Sequence, residues 1–548
     1  MERRRIVTIC ALGVIAGASL AGQGGRRNQA PPDVAMTLVL GRPTDRSIVL
    51  SVVAPNALEA FVEYGATAGQ YPAKSATGKA AAGEPLEIAI APLQPNTRYY
   101  YRLRHRQPGQ SPFEALGEQS FETQRAAGST FTFGVQGDSH PERPGKMFDP
   151  SLYIHTLERV REERPDFYLM LGDDFSIEQL IARATLSQSS VNQVYARQRA
   201  FLGRIAASIP LFLANGNHEE AARFLLDGTP NNAAVFAGKA RAAFFPLPAP
   251  DAFYTGDTEL VENIGLLRDY YAWTWGDAIF VVIDPYWHSP VQVDADPGGR
   301  GGAGDGPRRN RDLWAVTLGD AQYAWLKQTL EGSRARYKFV FSHHVMGTGR
   351  GAVEMADSFE WGGNDRPGGD RRGNDRPGGD RRGNDRPGGD RRGNDRPGGD
   401  LRGNDRPGGD LRGNDRPGGD LRGNDRRGAS QFRARRPNWE LPIHQLMVKT
   451  GVTIFFQGHD HLFAHQQKDG VTYQETPNPA DDTYTAFNRE AYRSGDILPN
   501  SGHLRVTVSP ANVRVDYVRS FLPKDETPQQ KDGEVGFSYT VSPRQTVR

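Results

Sequence analysis

The sequence predicts an α/β domain standing behind a small all-β module, and three observations carry that prediction. From residue 130 onward, apolar runs of five to seven residues alternate with helical stretches, the pattern of a sheet covered by helices. Residues 34–125 show no helical period, only short β-type runs set about ten apart by turn residues, as in a small β-sandwich. Five of the later apolar runs end in Asp, Asn or His, and in open α/β sheets the carboxyl ends of strands are where ligands collect.

The chain of 548 residues opens with "MERRRIVTICALGVIAGASLAGQGG": three arginines, an apolar run, then small residues. That layout is an export signal, with Ser19 and Ala21 in the small-residue pattern. Residues 1–21 are therefore expected to be removed and the protein to act in the periplasm or outside the cell. The apolar run of about 16 residues falls short of the ~20 a spanning helix needs, so no membrane span is expected in the mature chain. The arginines are compatible with either the general secretory or the twin-arginine route. The one cysteine, Cys10, lies in this segment behind Ile9 rather than behind the small residue a lipoprotein requires. The mature chain then has no disulfide and no thiolate metal site. Removing three Arg and one Glu from totals of 67 basic and 65 acidic residues leaves 64 of each, a net charge near zero. That balance favours neither nucleic acid nor an anionic membrane as a partner.

In the β module, "SIVLSVVA" (47–54), "AFVEYG" (60–65), "LEIAIAPL" (86–93), "TRYYYRLRH" (97–105) and "QSFETQ" (119–124) read as strands. "LQPNTRYYYRLR" resembles the strand-turn-strand corner of fibronectin type III domains, which are more often scaffolds than binding surfaces. The α/β domain, 130–520, has strands at "FTFGVQ" (131–136), "DFYLML" (166–171), "IPLFLA" (209–214), "AIFVVID" (278–284), "KFVFS" (338–342) and "VTIFFQ" (452–457). Helices are predicted at 151–163, 194–206 and 320–331, and "HLRVTVS" and "VRVDYVRSF" read as closing strands. Residues 521–548 are expected to form a loose polar tail.

Residues 363–428 interrupt the domain with three copies of "GNDRPGGDRR", three of "GNDRPGGDLR" and a partial "GNDRRG". Ordering such a segment costs backbone entropy with almost nothing to bury in return, so it is expected to be a disordered, solvated insert. It also accounts for much of the high glycine count, 63, and the low hydrophobic content, 37%. A calcium-binding β-roll is the rival, but the period is ten rather than nine and every full unit carries a proline.

The chemistry lies at the strand ends. "TIFFQGHDHLF" (453–463) runs through apolar side chains and then delivers His459 and His461 behind a glycine. Alone it reads equally well as a satisfied histidine pair on a surface turn. It is not alone: Asp138 and His140 follow the first strand, Asp173 and Asp174 the second, Asn217 and His218 the third, and His343 and His344 the fifth. Carboxylate, amide and imidazole donors suit borderline divalent metals, and about seven of them are too many for one ion. Two ions ~3.5–4 Å apart can clamp the attacking and departing oxygens of a phosphoryl displacement and generate hydroxide near neutral pH.

The ordered set D-x-H, G-D, G-N-H-E, a His after a strand, and G-H-x-H, spread over residues 138–461, resembles the calcineurin-like metallophosphoesterase superfamily. With a fibronectin-like module in front, the layout is similar to purple acid phosphatases and alkaline phosphatase D-type enzymes. The resemblance implies a four-layer α/β/β/α sandwich and a centre of two divalent or mixed-valence ions, with Mn, Fe and Zn equally compatible. It implies that Asp138, His140 and His461 hold the first metal, Asn217, His343 and His459 the second, and that Asp173 bridges them. It further implies that His218 faces the substrate as the catalytic residue and that a metal-bridging hydroxide attacks phosphorus in line. Purple acid phosphatases carry a tyrosine three residues after the bridging aspartate, where this chain has Ser176, and they lack the ligand His140. The exchange of phenolate for imidazole implies a colourless enzyme less committed to ferric iron. Protein serine/threonine phosphatases have an aspartate at the same offset to orient the catalytic histidine, and Ser176 leaves that partner of His218 unidentified.

Among the other residues, His344 divides evenly between a phosphate contact and a loop position. His288 is more often outside a cleft than in it, and His465, His444 and His155 fit packed or solvated faces. Trp273, Trp275 and Trp325 fit the core, and Asp174 points away from the metals. The leading function is an exported phosphomonoesterase acting on a small-molecule phosphate ester. A phosphodiesterase of the same fold is the alternative, and a surface-binding protein with a relict hydrolase domain is the reading from a different class.

Overall fold

The computed structural model describes residues 36–293, 312–363 and 431–543. The export signal with Cys10 and, apart from Gly363, the repeat insert lie outside the described residues.

The all-β module is a two-sheet sandwich. Strands Thr37–Gly41, Ile48–Val53 and Leu86–Ile90 form one sheet, and Leu58–Gly65 pairs with Arg98–Arg106 at the centre of the other. Alternating side chains such as Leu40, Leu50, Val62, Tyr101 and Leu103 meet between the sheets and are fully buried. The outer face of the first sheet contributes Val39 and Val53 to the core beneath helix Gln188–Ala206. From that helix the buried Arg199 donates to Thr37 Oγ1 and Ser51 Oγ, both at 3.1 Å, and to the Ser51 carbonyl at 3.0 Å. These bonds tie the module to the α/β domain.

In the α/β domain two sheets lie face to face. One runs, in spatial order, Leu211–Leu213, Tyr168–Met170, Phe131–Gln136, Gly502–Val508, Val513–Arg519 and Val535–Val541. The other has eight strands, with Ala278–Val282, Tyr337–Phe341, Ile454–Gln457 and Val471–Glu475 parallel at its centre. Phe133, Phe167, Phe280, Phe339 and Phe456 fill the space between the sheets. Helices Pro150–Glu163, Gln188–Ala206 and Ala233–Phe244 cover the first sheet, and Gly319–Gly332 and Ile443–Thr450 the second. This is the expected four-layer order. The parallel strands of both sheets end at one rim, where the motif residues are.

One expectation fails. Residues 521–548 do not form a loose tail throughout, because Val535–Val541 pairs antiparallel with Val513–Arg519 as an edge strand. Phe537, Tyr539 and Val541 alternate onto the inner face and pack on the core, the period-two pattern that the surrounding polar residues hid.

Candidate metal centre

Each motif loop is held close by its neighbours. A Cβ placed on Gly216 would stand 2.2 Å from Asp173 Oδ1, and one on Gly458 would stand 2.8 Å from Asp138 Oδ1. These glycines are required for close approach of the loops to the carboxylates. Four of the donors, His140, Asp173, His459 and His461, have φ between 49° and 78°. A non-glycine residue holds that left-handed conformation only when its surroundings over-determine it, as they do at functional sites.

All seven sequence-predicted donors meet at the rim, each with less than a tenth of its surface exposed. His140 Nε2 lies 3.0 Å from His461 Nε2, which is 2.9 Å from Asp138 Oδ2. Alongside, Asn217 Oδ1 lies 3.1 Å from both His343 Nε2 and His459 Nδ1, which are 3.3 Å from each other. Asp173 Oδ2 stands between the two groups, 3.3 Å from His343 Nε2 and 3.7 Å from His140 Nε2. Two imidazole nitrogens facing each other cannot both be donors, and the lone pairs here converge on common points. Neighbouring ligands with bonds of about 2.1 Å lie roughly 3.0–3.4 Å apart around one ion, so the residues present fit a cation. His343 donates its other nitrogen to the Leu171 carbonyl at 3.0 Å, and His140 Nδ1 faces Glu142 Oε1 at 2.9 Å, which turns each Nε2 inward.

The charges are strongly coupled. Burial works against ionising Asp138 and Asp173, yet the imidazoles outweigh it and hold both carboxyls well below the usual range: His343 and His461 for Asp138, His343 and His218 for Asp173. Burial likewise opposes charge on His140 and His343, and the carboxylates around them raise the two to about 9 and about 10. His459 and His461 are driven down, chiefly by burial, with His344 acting on the first.

His218 is the eighth predicted residue and lies at the solvent edge. Its backbone N–H donates to Asp173 Oδ1 at 2.9 Å. Its Nδ1 meets Glu178 Oε2 at 2.8 Å, and Arg143 Nη2 is 2.8 Å from its Nε2. Burial lowers its pKa, but Asp173 and Glu178 raise it to about 9. A ring charged at neutral pH could not accept from Arg143. Arg143 Nη2 donates to Nε2 only when that nitrogen carries no proton, so this contact and a proton on Nε2 exclude one another.

Sequence reasoning missed three of these residues. Glu178 opens a five-residue helix, Glu178–Ala182, too short to carry a period. Glu219, fully buried, accepts four backbone N–H groups: from Asp173 and Gly216 at Oε2 (3.0 and 2.7 Å) and from Asp174 and Phe175 at Oε1 (2.8 and 3.0 Å). It clamps the Asp173 loop to the Asn217 loop, and its place in G-N-H-E was the available signal. Arg143 follows His140 by three residues in a loop with no motif of its own. Asp174 and His288 lie where the sequence reading put them. Asp174 points away and accepts from Ser139 Oγ and Gln136 Nε2. His344 is buried beside His459, its ring centroid 4.2 Å away. His288 packs against Gly319 instead of the centre.

Residues 131–365 match the family model of calcineurin-like phosphoesterases. Residues 131–365 are a calcineurin-like phosphoesterase domain. It belongs to a class of metal-dependent phosphoester hydrolases, and the match ends where the repeats begin. His459 and His461 lie beyond that match and join the phosphoesterase centre only through the fold. A purple acid phosphatase from yellow lupin (Lupinus luteus) seeds shares the fold at a TM-score of 0.54 and 14% identity, over 93% of this chain and 74% of that one. PhoD shares it at 0.52 and 15%, over 90% and 88%. No curated protein matches the chain in sequence. Among the described residues, no helix is long and apolar enough to cross a membrane.

Proposed function

We propose that the protein is a two-metal phosphoric monoester hydrolase. Asp138, His140 and His461 would hold one cation and Asn217, His343 and His459 the other, with Asp173 placed between the two groups. The observation that carries this reading is the position of Asp173 Oδ2, within 3.7 Å of a nitrogen from each group. Oxygen and nitrogen donors without thiolate suit Mn, Fe or Zn. When bound, such a pair supplies neutralisation of the phosphate charge and activation of the attacking water.

The chain's own residues do the rest. Asp173 fixes the backbone of His218, and Glu178 occupies Nδ1, so Nε2 is the nitrogen turned to the substrate. There it stabilises charge or gives a proton to the departing oxygen. The burial of the donors excludes bulk water and strengthens each of these interactions. The layout shared with the lupin phosphatase, a phosphatase by name, supports a monoester substrate over a diester. The N-terminal segment supports export, with the fibronectin-like module as a scaffold.

The test is to purify the chain, count bound Mn, Fe and Zn, and compare hydrolysis of aryl phosphate monoesters and diesters with that of Asp173→Ala. Close to two metals per chain and an activity lost with Asp173 are expected. Fewer than one metal, or unchanged function in Asp173→Ala, would return the domain to a relict on a surface-binding protein.

A further inference from the structure

We propose that Arg143 selects dianionic phosphate monoesters over diesters by binding the third non-bridging oxygen. The proposal rests on the phosphoesterase reading above and adds to it a group that reads the charge of the substrate.

The position of Arg143 is built by the centre itself. Its backbone N–H donates to the His140 carbonyl at 2.9 Å, so the turn that presents His140 also launches Arg143. Gln179 Nε2 holds the carbonyl of Glu142 at 2.9 Å, which stitches that turn to the helix carrying Glu178. The side chain folds back over the centre, with Nε 3.2 Å from Glu142 Oε1, Nη1 3.5 Å from Met147 Sδ and Nη2 2.8 Å from His218 Nε2. It keeps 27% of its surface exposed, so it stands where substrate arrives from solvent.

The acceptors on its Nη atoms are poor ones. A thioether and an imidazole nitrogen bring a guanidinium no negative charge, whereas a phosphate oxygen both accepts the hydrogen bond and pairs with the charge. Arriving phosphate would therefore draw Nη2 from His218 and leave Nε2 facing the ester. The buried donors of the centre present lone pairs, which suit cations and do not bind phosphate directly. Near neutral pH a monoester carries two charges over three non-bridging oxygens, and a diester one charge over two. If two oxygens lie on the cations, only the monoester has a third for Arg143, and a diester puts its second ester group in that place.

The experiment compares the metal-loaded wild type with Arg143→Ala and Arg143→Lys. The measured quantity is the ratio of kcat/KM for an aryl monoester to that for an alkyl aryl diester, together with calorimetric binding of inorganic phosphate and metal content. In Arg143→Ala the ratio is expected to fall about 10- to 100-fold, the range of one hydrogen bond to a charged group. Phosphate affinity should fall with it at unchanged metal content, and Arg143→Lys should recover part of both because it keeps a point charge without the fork. Equal losses on both substrates, or unaltered phosphate binding, would overturn the proposal. Should Arg143→Ala misfold, Arg143→Gln takes its place, and a ratio and a phosphate affinity equal to wild type in that variant overturn the proposal. A wild-type enzyme that hydrolyses neither ester would refute the phosphoesterase reading instead, and phosphate calorimetry would still test Arg143.

Discussion

Replacing Glu219 tests whether the two central loops are joined by one carboxylate. Its oxygens accept four backbone N–H groups at 2.7–3.0 Å, two from each side of the carboxylate. A hydrogen bond to a charged partner contributes about 1.5–3 kcal/mol, so four give a ceiling of roughly 6–12 kcal/mol. In Glu219→Ala, water entering the vacated space would re-satisfy part of that, which leaves a loss of about 3–6 kcal/mol. Total stabilities are only about 5–15 kcal/mol, so the loss is large. Glu219→Gln should fare little better, because its amide keeps one oxygen for two donors and points an NH₂ at the other two. Urea unfolding of the α/β domain, followed by tryptophan fluorescence, gives the energy, and bound metal per chain reports the geometry. A loss below about 1 kcal/mol with full metal content in both variants would refute the clamp.

Other perturbations have equally definite outcomes. His140 and His343 are raised to about 9 and about 10 and so hold protons at pH 7 in the metal-free protein, whereas metal ligation needs them neutral. Metal uptake at pH 7 should release more than one proton per chain, affinity should weaken as pH falls, and the release should vanish above about pH 10. An indicator titration in weak buffer measures this. Glu178→Ala should lower kcat about 10- to 100-fold with little change in KM, and more for alkyl than for aryl leaving groups, because only the poorer leaving group needs the proton from His218. Truncation after residue 534 removes the edge strand with Phe537, Tyr539 and Val541, each worth about 1 kcal/mol as a partly buried side chain, and should lower Tm by several degrees. Arg199→Met should destabilise by about 3 kcal/mol or more, since the Ser51 and Thr37 groups it now satisfies stay buried, and scanning calorimetry should show the loss.

The sequence by itself determined which atoms could bind metal and on which rim they would sit. Asp138, His140, Asp173, Asn217, His343, His459 and His461 each follow an apolar strand, and a parallel strand buried on both faces is a local property that a run such as "TIFFQ" displays openly. Which groups serve those donors was decided only in three dimensions. Glu178 reaches His218 across forty residues from a single helical turn, Arg143 returns to it across seventy-five, and Glu219 joins two loops through amides that carry no side-chain signature. The edge strand Val535–Val541 needed a partner strand before its alternation meant anything. Donor type and strand character are written within a few residues. Hydrogen bonds between segments far apart exist only once packing brings those segments to within about 3 Å, and no local pattern encodes that distance.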